Sequence, residues 1–171
     1  GCDPNPAVVH APHALDELVA GRQAIAGTFE PPADLKLERF QYVSTCYVSG
    51  RWPGIFREEA LEKGQKFNNF YEETKYLAEI EVRRRREAGL PVTIYRPGIV
   101  VGDSVTGETQ KYDGPYYILR WLLRQPTVAV LPVPSGADLM RVNLVPRDFV
   151  VGAIDALSTR PESLGRCYQL A

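Results

Sequence analysis

The chain has little of what a disulfide framework or a metal centre requires. Its three cysteines (Cys2, Cys46 and Cys167) lie far apart and form no C-x-x-C pair, which argues against both a disulfide scaffold and a zinc site. His10 and His13 are expected to be loop histidines, because two histidines without an acidic or thiol partner do not make a metal site. We therefore expect reduced thiols, a cytoplasmic location and no bound metal.

The net charge is close to zero, and long apolar runs are missing from the sequence. The formal net charge of −1 provides no long-range field that would attract nucleic acid or an anionic membrane. No apolar run reaches the length of a membrane span, and the first residues show neither the basic nor the apolar region of a signal peptide. We expect one compact domain without a nucleic-acid partner and without a membrane span, since 171 residues can enclose a core.

The middle of the chain alternates between strand and helix patterns. Residues 40–44 are rich in aromatic and β-branched side chains and predict a strand. A helix is expected to begin at Asn68 or Asn69, run to about Glu87 and end at Gly89. Residues 92–95 predict a second strand. Strand, helix and strand in this order predict an α/β fold with a parallel sheet.

The rest of the chain has weaker patterns. Residues 15–26 show a helical period that the proline pair at 31–32 must end, and residues 102–114 predict a polar loop over a site. An apolar helix is expected from Pro115 through Leu123, and an amphipathic helix from near Pro146. Further short strands are predicted over residues 127–131, 140–145 and 167–171.

Tyr71, Lys75 and Thr45 form the most informative group. Tyr71 and Lys75 are four residues apart and share one face of the predicted helix, and Thr45 follows the predicted strand before it. An ammonium near a phenol favours the phenolate, so the tyrosine can exchange a proton with a carbonyl or alcohol oxygen. A threonine hydroxyl could bind the same oxygen. These residue types favour an oxidoreductase or epimerase that uses a nicotinamide cofactor.

Structural explanations of the same residues remain open. Tyr71 could be a packed tyrosine, Lys75 a surface lysine, and Thr45 a strand residue bonded to backbone. The four arginines 83–86 predict a solvated helix end with favourable dipole placement. Arg96, which precedes a Pro-Gly pair, is expected to stabilise the turn or pair with an acid.

Four segments resemble the extended short-chain dehydrogenase/reductase family. They are residues 39–50 (RFQYVSTCYVSG), 69–79 (NFYEETKYLAE), 92–104 (VTIYRPGIVVGDS) and 143–150 (NLVPRDFV). The likeness is closest to the branch of thioester reductases and fatty acyl-CoA reductases, the male-sterility-type NAD-binding domain. It covers roughly residues 38–171, with the four motifs in the family's order.

The resemblance implies a fold, a cofactor and a set of site residues. The fold is a Rossmann-like doubly wound parallel sheet with a small C-terminal substrate-binding subdomain. The cofactor is NADP or NAD, and the reaction is the reduction of a small-molecule thioester or aldehyde, with a homodimer as a further expectation. The implied catalytic residues are Thr45, Tyr71 and Lys75, and the implied cofactor-binding residues are Ser44, Tyr71, Lys75, Pro97, Gly98 and Ile99.

One expected motif of this family does not occur in the sequence. No G-x-x-G-x-x-G turn is present to seat a pyrophosphate on a helix N-terminus. We therefore expect a single partial domain that corresponds to the C-terminal part of such an enzyme. In it, residues 1–37 diverge, residues 38–101 form the sheet core, and residues 102–171 mainly bind substrate. The alternatives are a nucleotide-sugar epimerase or dehydratase, and a non-catalytic fragment without cofactor binding.

Overall fold

A computed structural model describes residues 37–110, 112, 114–125 and 142–171, of which all but residue 37 belong to one unit, from Glu38 to Ala171. Three parallel strands, β1 (Phe40–Val43), β2 (Val92–Pro97) and β5 (Cys167–Leu170), form one sheet in the order β1-β2-β5. Its register pairs Phe40 with Val92 and Ile94 with Cys167. Every residue of the central strand β2 is buried. The predicted parallel α/β sheet is therefore confirmed.

Helix α1 (Phe70–Glu87) connects β1 to β2, as the sequence predicted. Asn69 is its N-cap, because its side chain accepts a hydrogen bond from the backbone N–H of Glu72. Gly89 follows the helix with a φ of 104°, a left-handed conformation that favours glycine. Both ends of this helix thus follow from single residues.

Two helices, α1 and the later helix α3, cover opposite faces of the three-stranded sheet. Tyr95 of β2 packs with Val150 of helix α3 (Arg147–Ser158), whereas the next residue, Arg96, bonds to Glu79 of α1. Successive side chains of a strand point to opposite faces, so α1 and α3 lie on different sides. The predicted doubly wound arrangement is observed over these residues. The core cluster on the α3 side consists of Tyr95, Val145, Val150 and Leu170.

A second, two-stranded sheet begins directly after β2. Strand β3 (Ile99–Val101) pairs in parallel with β4 (Leu144–Pro146), and Gly98 separates it from β2. The Gly98 N–H donates to Leu170 O, while a Cβ at this position would lie 2.7 Å from Asn143 O. Glycine therefore allows the chain to pass from one sheet to the other. The sequence did not predict β3, and β4 begins later than the strand predicted over residues 140–145.

Helix α2 (Pro115–Leu123) has the predicted bounds, but none of its residues is buried. Tyr116 accepts a hydrogen bond from the Gly102 N–H at 2.7 Å and so ties α2 to the preceding loop. Ser104 in that loop donates to Asp148 at the start of α3 through both its N–H and its hydroxyl. The strand predicted over 127–131 and the helical period over 15–26 lie outside the described residues.

Two short 3-10 turns complete the described elements. The first (Cys46–Ser49) follows β1, and the second (Pro161–Ser163) precedes β5. Within the described ranges, no helix combines the length and the apolar character that crossing a bilayer would need.

Candidate active site

Helix α1 presents one stripe of side chains to the carboxyl end of β1. Tyr71, Lys75 and Glu79 follow one another at intervals of four residues, so they lie along a single face. Burial raises the pKa of Tyr42 on β1, and charges on Glu79 and Tyr71 raise it further. Tyr42 therefore lies within electrostatic range of both ends of the stripe.

Lys75 stands in the middle of this stripe. Its Nζ donates to the carbonyl of Val43, the last residue of β1, at 3.3 Å. The side chain is half-buried, and burial lowers the pKa of Lys75 below its ordinary value. An ammonium has three donors, so two remain after this bond. Lys75 thus carries donors to the end of the strand that leads to Thr45.

Tyr71 lies one turn earlier on α1 and has 51% of its surface exposed. Half of this residue is therefore reached by solvent, and it is not the fully packed core tyrosine of the structural alternative. A half-exposed tyrosine beside a half-buried lysine is the arrangement that proton exchange with a bound oxygen needs.

Thr45 is almost fully buried and acts as the N-cap of the first 3-10 turn. Its hydroxyl accepts from the Tyr47 N–H at 3.3 Å and donates to Pro97 O at 3.4 Å. Both distances lie beyond the usual range, so turning the hydroxyl towards a substrate oxygen would forfeit little. The bond to Pro97 brings Thr45 to the 97–99 turn. The predicted catalytic role of Thr45 and the predicted cofactor-binding role of the turn both require this proximity. The catalytic role of Thr45 stays a prediction beside this structural one.

The 97–99 turn has no free backbone donor of its own. Pro97 lacks an N–H, Gly98 N–H donates to Leu170 O at 3.0 Å, and Ile99 N–H donates to Asn143 O at 2.8 Å. A nicotinamide amide facing this turn would therefore meet carbonyl oxygens as acceptors. The predicted cofactor contacts of Pro97, Gly98 and Ile99 stay predictions with this restriction.

A buried ionic cluster joins the stripe to both strand ends. The Glu79 carboxylate accepts from Ser44 Oγ at 2.6 Å, from Arg96 Nε at 3.1 Å and Nη2 at 2.7 Å, and from Arg83 Nε at 3.0 Å. Glu79 and Arg96 are completely inaccessible to water. Ser44, which the resemblance places at the cofactor, uses its hydroxyl hydrogen on Glu79 instead. Its contact with a cofactor stays a prediction.

Arg96 has further partners in the loop before α1. Its Nη2 donates to Ala60 O at 2.8 Å, longer bonds reach Arg57 O and Glu58 O, and its guanidinium lies 5.4 Å from the centre of the Phe56 ring. The expectation that Arg96 pairs with an acid is confirmed.

Arg83 belongs to the same cluster. Besides Glu79, it binds the carbonyls of Glu58 and Glu59. Its side chain is mostly buried, so the prediction of a solvated arginine run is wrong for Arg83. Arg84 and Arg85 both pair with Glu81; Arg84 is well exposed, as that prediction implied, whereas Arg85 is partly buried.

Comparison with known proteins places this geometry in a family. The family described as Male sterility protein, whose members bind NAD, matches residues 32–154, well over half of the chain. The chain belongs to this family. As an extended short-chain dehydrogenase/reductase domain, it has the Rossmann-like fold that the resemblance implied, and the four motifs named above lie within or beside the matched range.

The proteins that this male sterility domain resembles include a reductase, a terminal R domain and, in fold alone, an epimerase. L-2-aminoadipate reductase of Saccharomyces cerevisiae is 28% identical over 93% of the chain, which spans 11% of that protein. The terminal R domain of the myxalamid PKS-NRPS pathway is 37% identical with a TM-score of 0.66, over 76% of this chain and 32% of that structure. UDP-glucuronic acid 4-epimerase of Bacillus cereus, solved with UDP-glucuronic acid and NAD, has a TM-score of 0.58 over 81% and 41%. At 20% identity, it shows the fold alone.

The chain spans about a tenth of the length of the curated relatives it matches. The cofactor of those longer proteins therefore cannot simply be assigned to this chain. What matters is which part of an NAD-type cofactor the residues present could bind. Half of Tyr71 is exposed and Lys75 has donors left, so both carry groups that could bind the hydroxyls of a nicotinamide ribose. The glycine-rich seat for the pyrophosphate does not occur in the sequence. The male sterility domain thus fits the nicotinamide end of the cofactor.

Glu79 and Asn143 are the site residues that the sequence analysis did not name as such. Glu79 could have been found, because it continues the stripe of Tyr71 and Lys75 by one turn, and Arg96 required a buried acid. Asn143 accepts from Ile99 N–H through its backbone, and its side chain lies 3.9 Å from Cys46 Sγ. No local pattern in the sequence marks that pairing, since the two segments are far apart in the chain.

Proposed function

We propose that this male sterility domain contributes the catalytic tyrosine, lysine and threonine of an NAD(P)-dependent reductase acting on a thioester or an aldehyde. The observation that carries the proposal is the bond from Lys75 Nζ to Val43 O, which holds the Tyr71 stripe at the strand end leading to Thr45. The names of the relatives, an aminoadipate reductase and a terminal R domain, support this reaction class.

The proposed chemistry divides among three side chains. When bound, the cofactor supplies a hydride. Tyr71 Oη gives a proton to the substrate carbonyl oxygen, and the Lys75 ammonium favours the phenolate that remains. Lys75 also holds ribose hydroxyls, and Thr45 Oγ1 donates to the same carbonyl oxygen and fixes its position. A cytoplasmic location and a homodimer stay predictions.

Cofactor binding is the first test. We expect NADPH or NADH to raise the unfolding free energy by roughly 2.7 kcal/mol at a free concentration of about 100 times the dissociation constant. Thermal unfolding and cofactor fluorescence measure this with the purified chain. Lys75→Met should weaken binding because the ribose donor is lost, whereas Lys63→Met, at an exposed loop lysine, should leave it unchanged.

The same titration separates the reductase from the non-catalytic alternative. Absence of any shift or fluorescence change at millimolar NADPH and NADH would contradict the proposal and favour a fragment without cofactor binding. Equal weakening by Lys75→Met and Lys63→Met would remove Lys75 from its role.

A further inference from the structure

Glu79 has a position that the proposed chemistry does not use. It is fully buried, and it lies one helical turn beyond Lys75 on the stripe that carries Tyr71. Two of the three residues it binds are each adjacent to a predicted site residue: Ser44 precedes Thr45, and Arg96 precedes Pro97. The third, Arg83, lies one turn further along α1. A single carboxylate is therefore bonded to both strand ends from which the proposed site is built.

The contacts of this carboxylate are short and directional. The Ser44 hydroxyl donates at 2.6 Å, and Arg96 binds both carboxylate oxygens through two different nitrogens. Two-nitrogen binding of a carboxylate by a planar guanidinium fixes orientation as well as distance. Any sliding of α1 along the sheet would break the bonds of Glu79 to Ser44 and Arg96 at once. Arg96 is itself held in place by carbonyls of the loop before α1.

Stability alone does not explain such a cluster. Burying two charges removes them from water, and a buried ion pair is often no more stabilising than apolar residues of the same volume. What a directional ion pair can add is a fixed register between the elements it joins.

We propose, on the basis of the proposed function, that Glu79 with Ser44 and Arg96 positions Tyr71 and Lys75 against Thr45 and the 97–99 turn. Glu79 and Ser44 are positioning residues that act through their neighbours and touch neither substrate nor cofactor. This differs from the resemblance-based role of Ser44 in cofactor binding, and the two roles have different kinetic consequences.

Ser44→Ala is the mildest test, since it removes one hydroxyl and leaves the ion pair in place. Ser163→Ala is the matched control, because Ser163 is also buried and its hydroxyl makes a similar bond, to Arg160 O at 2.7 Å, away from the stripe. With NADPH and an acyl-coenzyme A thioester, we expect Ser44→Ala to lower kcat about tenfold while the Kd for NADPH changes less than about twofold. Ser163→Ala should change neither value.

Three outcomes would overturn the positioning role. An unchanged kcat in Ser44→Ala would remove Ser44 and Glu79 from it. A raised Kd for NADPH with unchanged kcat would assign Ser44 to the cofactor instead. A loss of stability equal to that of Ser163→Ala, with kcat per folded molecule intact, would leave the cluster a purely structural one.

Hydrogen exchange makes the test independent of turnover. In Ser44→Ala we expect the amides of residues 44–49 and of Arg96, Gly98 and Ile99 to exchange about tenfold faster, and Ser163→Ala to leave them unchanged. If the wild-type chain shows no turnover, the proposed reductase function fails while this measurement still decides whether the cluster fixes the two segments. Glu79→Gln, which keeps the side-chain shape, serves as the second variant; equal exchange in all variants would overturn the inference.

Discussion

Replacing Tyr71 with phenylalanine is expected to lower kcat by about 10³-fold, within the range typical for loss of a general acid or base. Binding of the cofactor should persist, because Lys75 keeps its bond to Val43 O and its remaining donors. A group that acts only in the transition state lowers kcat and kcat/KM equally, so KM for the thioester should change little. Steady-state rates and a cofactor titration on the same preparation measure both effects.

Tyr76→Phe is the matched control for Tyr71→Phe. Tyr76 lies on the same helix but packs its ring against Phe67, with 4.9 Å between the ring centres. Removing its hydroxyl should leave kcat unchanged. If Tyr71→Phe retained more than about a tenth of wild-type kcat, or if both variants lost the same activity, Tyr71 would not be the acid/base that the proposal requires.

Glu79→Leu is expected to destabilise the protein by about 3–5 kcal/mol, the usual effect of removing one partner from a buried ion pair. The substitution leaves the Arg96 guanidinium without a carboxylate in a place that water does not reach. Such a loss is a large part of the stability of an ordinary domain. Urea unfolding gives the difference, provided that the slope of the transition stays constant.

Glu81→Leu is the control, because it shows how much the free energy of unfolding falls when a less buried glutamate is removed from α1. Glu81 also binds two arginines, but water reaches every partner: the exposed fraction of the side chain is 73% for Arg84, 28% for Arg85 and 22% for Glu81. Ion pairs that water reaches contribute about 0–1 kcal/mol. We expect Glu81→Leu to change stability by no more than about 1 kcal/mol. Similar losses in the two variants would contradict the assignment of Glu79 to a desolvated, structurally decisive contact.

Local signals made the elements around the site predictable. Asn69 and Gly89 fix the two ends of α1, and Pro115 fixes the start of α2, so these helices have their predicted bounds. Tyr71 and Lys75 share a helix face because of their spacing alone. The order of strand, helix and strand determined the parallel pairing of β1 with β2.

Pairings between distant segments were not predictable from local signals. Strand β3 has only three residues and becomes a strand through pairing with β4, which lies far along the chain. The pairing of Glu79 with Arg96 was not predictable either, because the spacing of polar residues along α1 does not reveal which strand residue lies opposite each of them. The expectation that Arg83 is solvated was wrong because the loop carbonyls of Glu58 and Glu59 lie over it.

The most direct measurement is a crystal structure of the chain with NADPH and an aldehyde bound. If the proposed function holds, Tyr71 Oη and Thr45 Oγ1 both lie about 2.6–3.2 Å from the aldehyde oxygen, with Lys75 Nζ on the ribose hydroxyls. A structure in which the Tyr71 and Thr45 hydroxyls face separate surroundings, or in which NADPH binds away from Lys75, would contradict it.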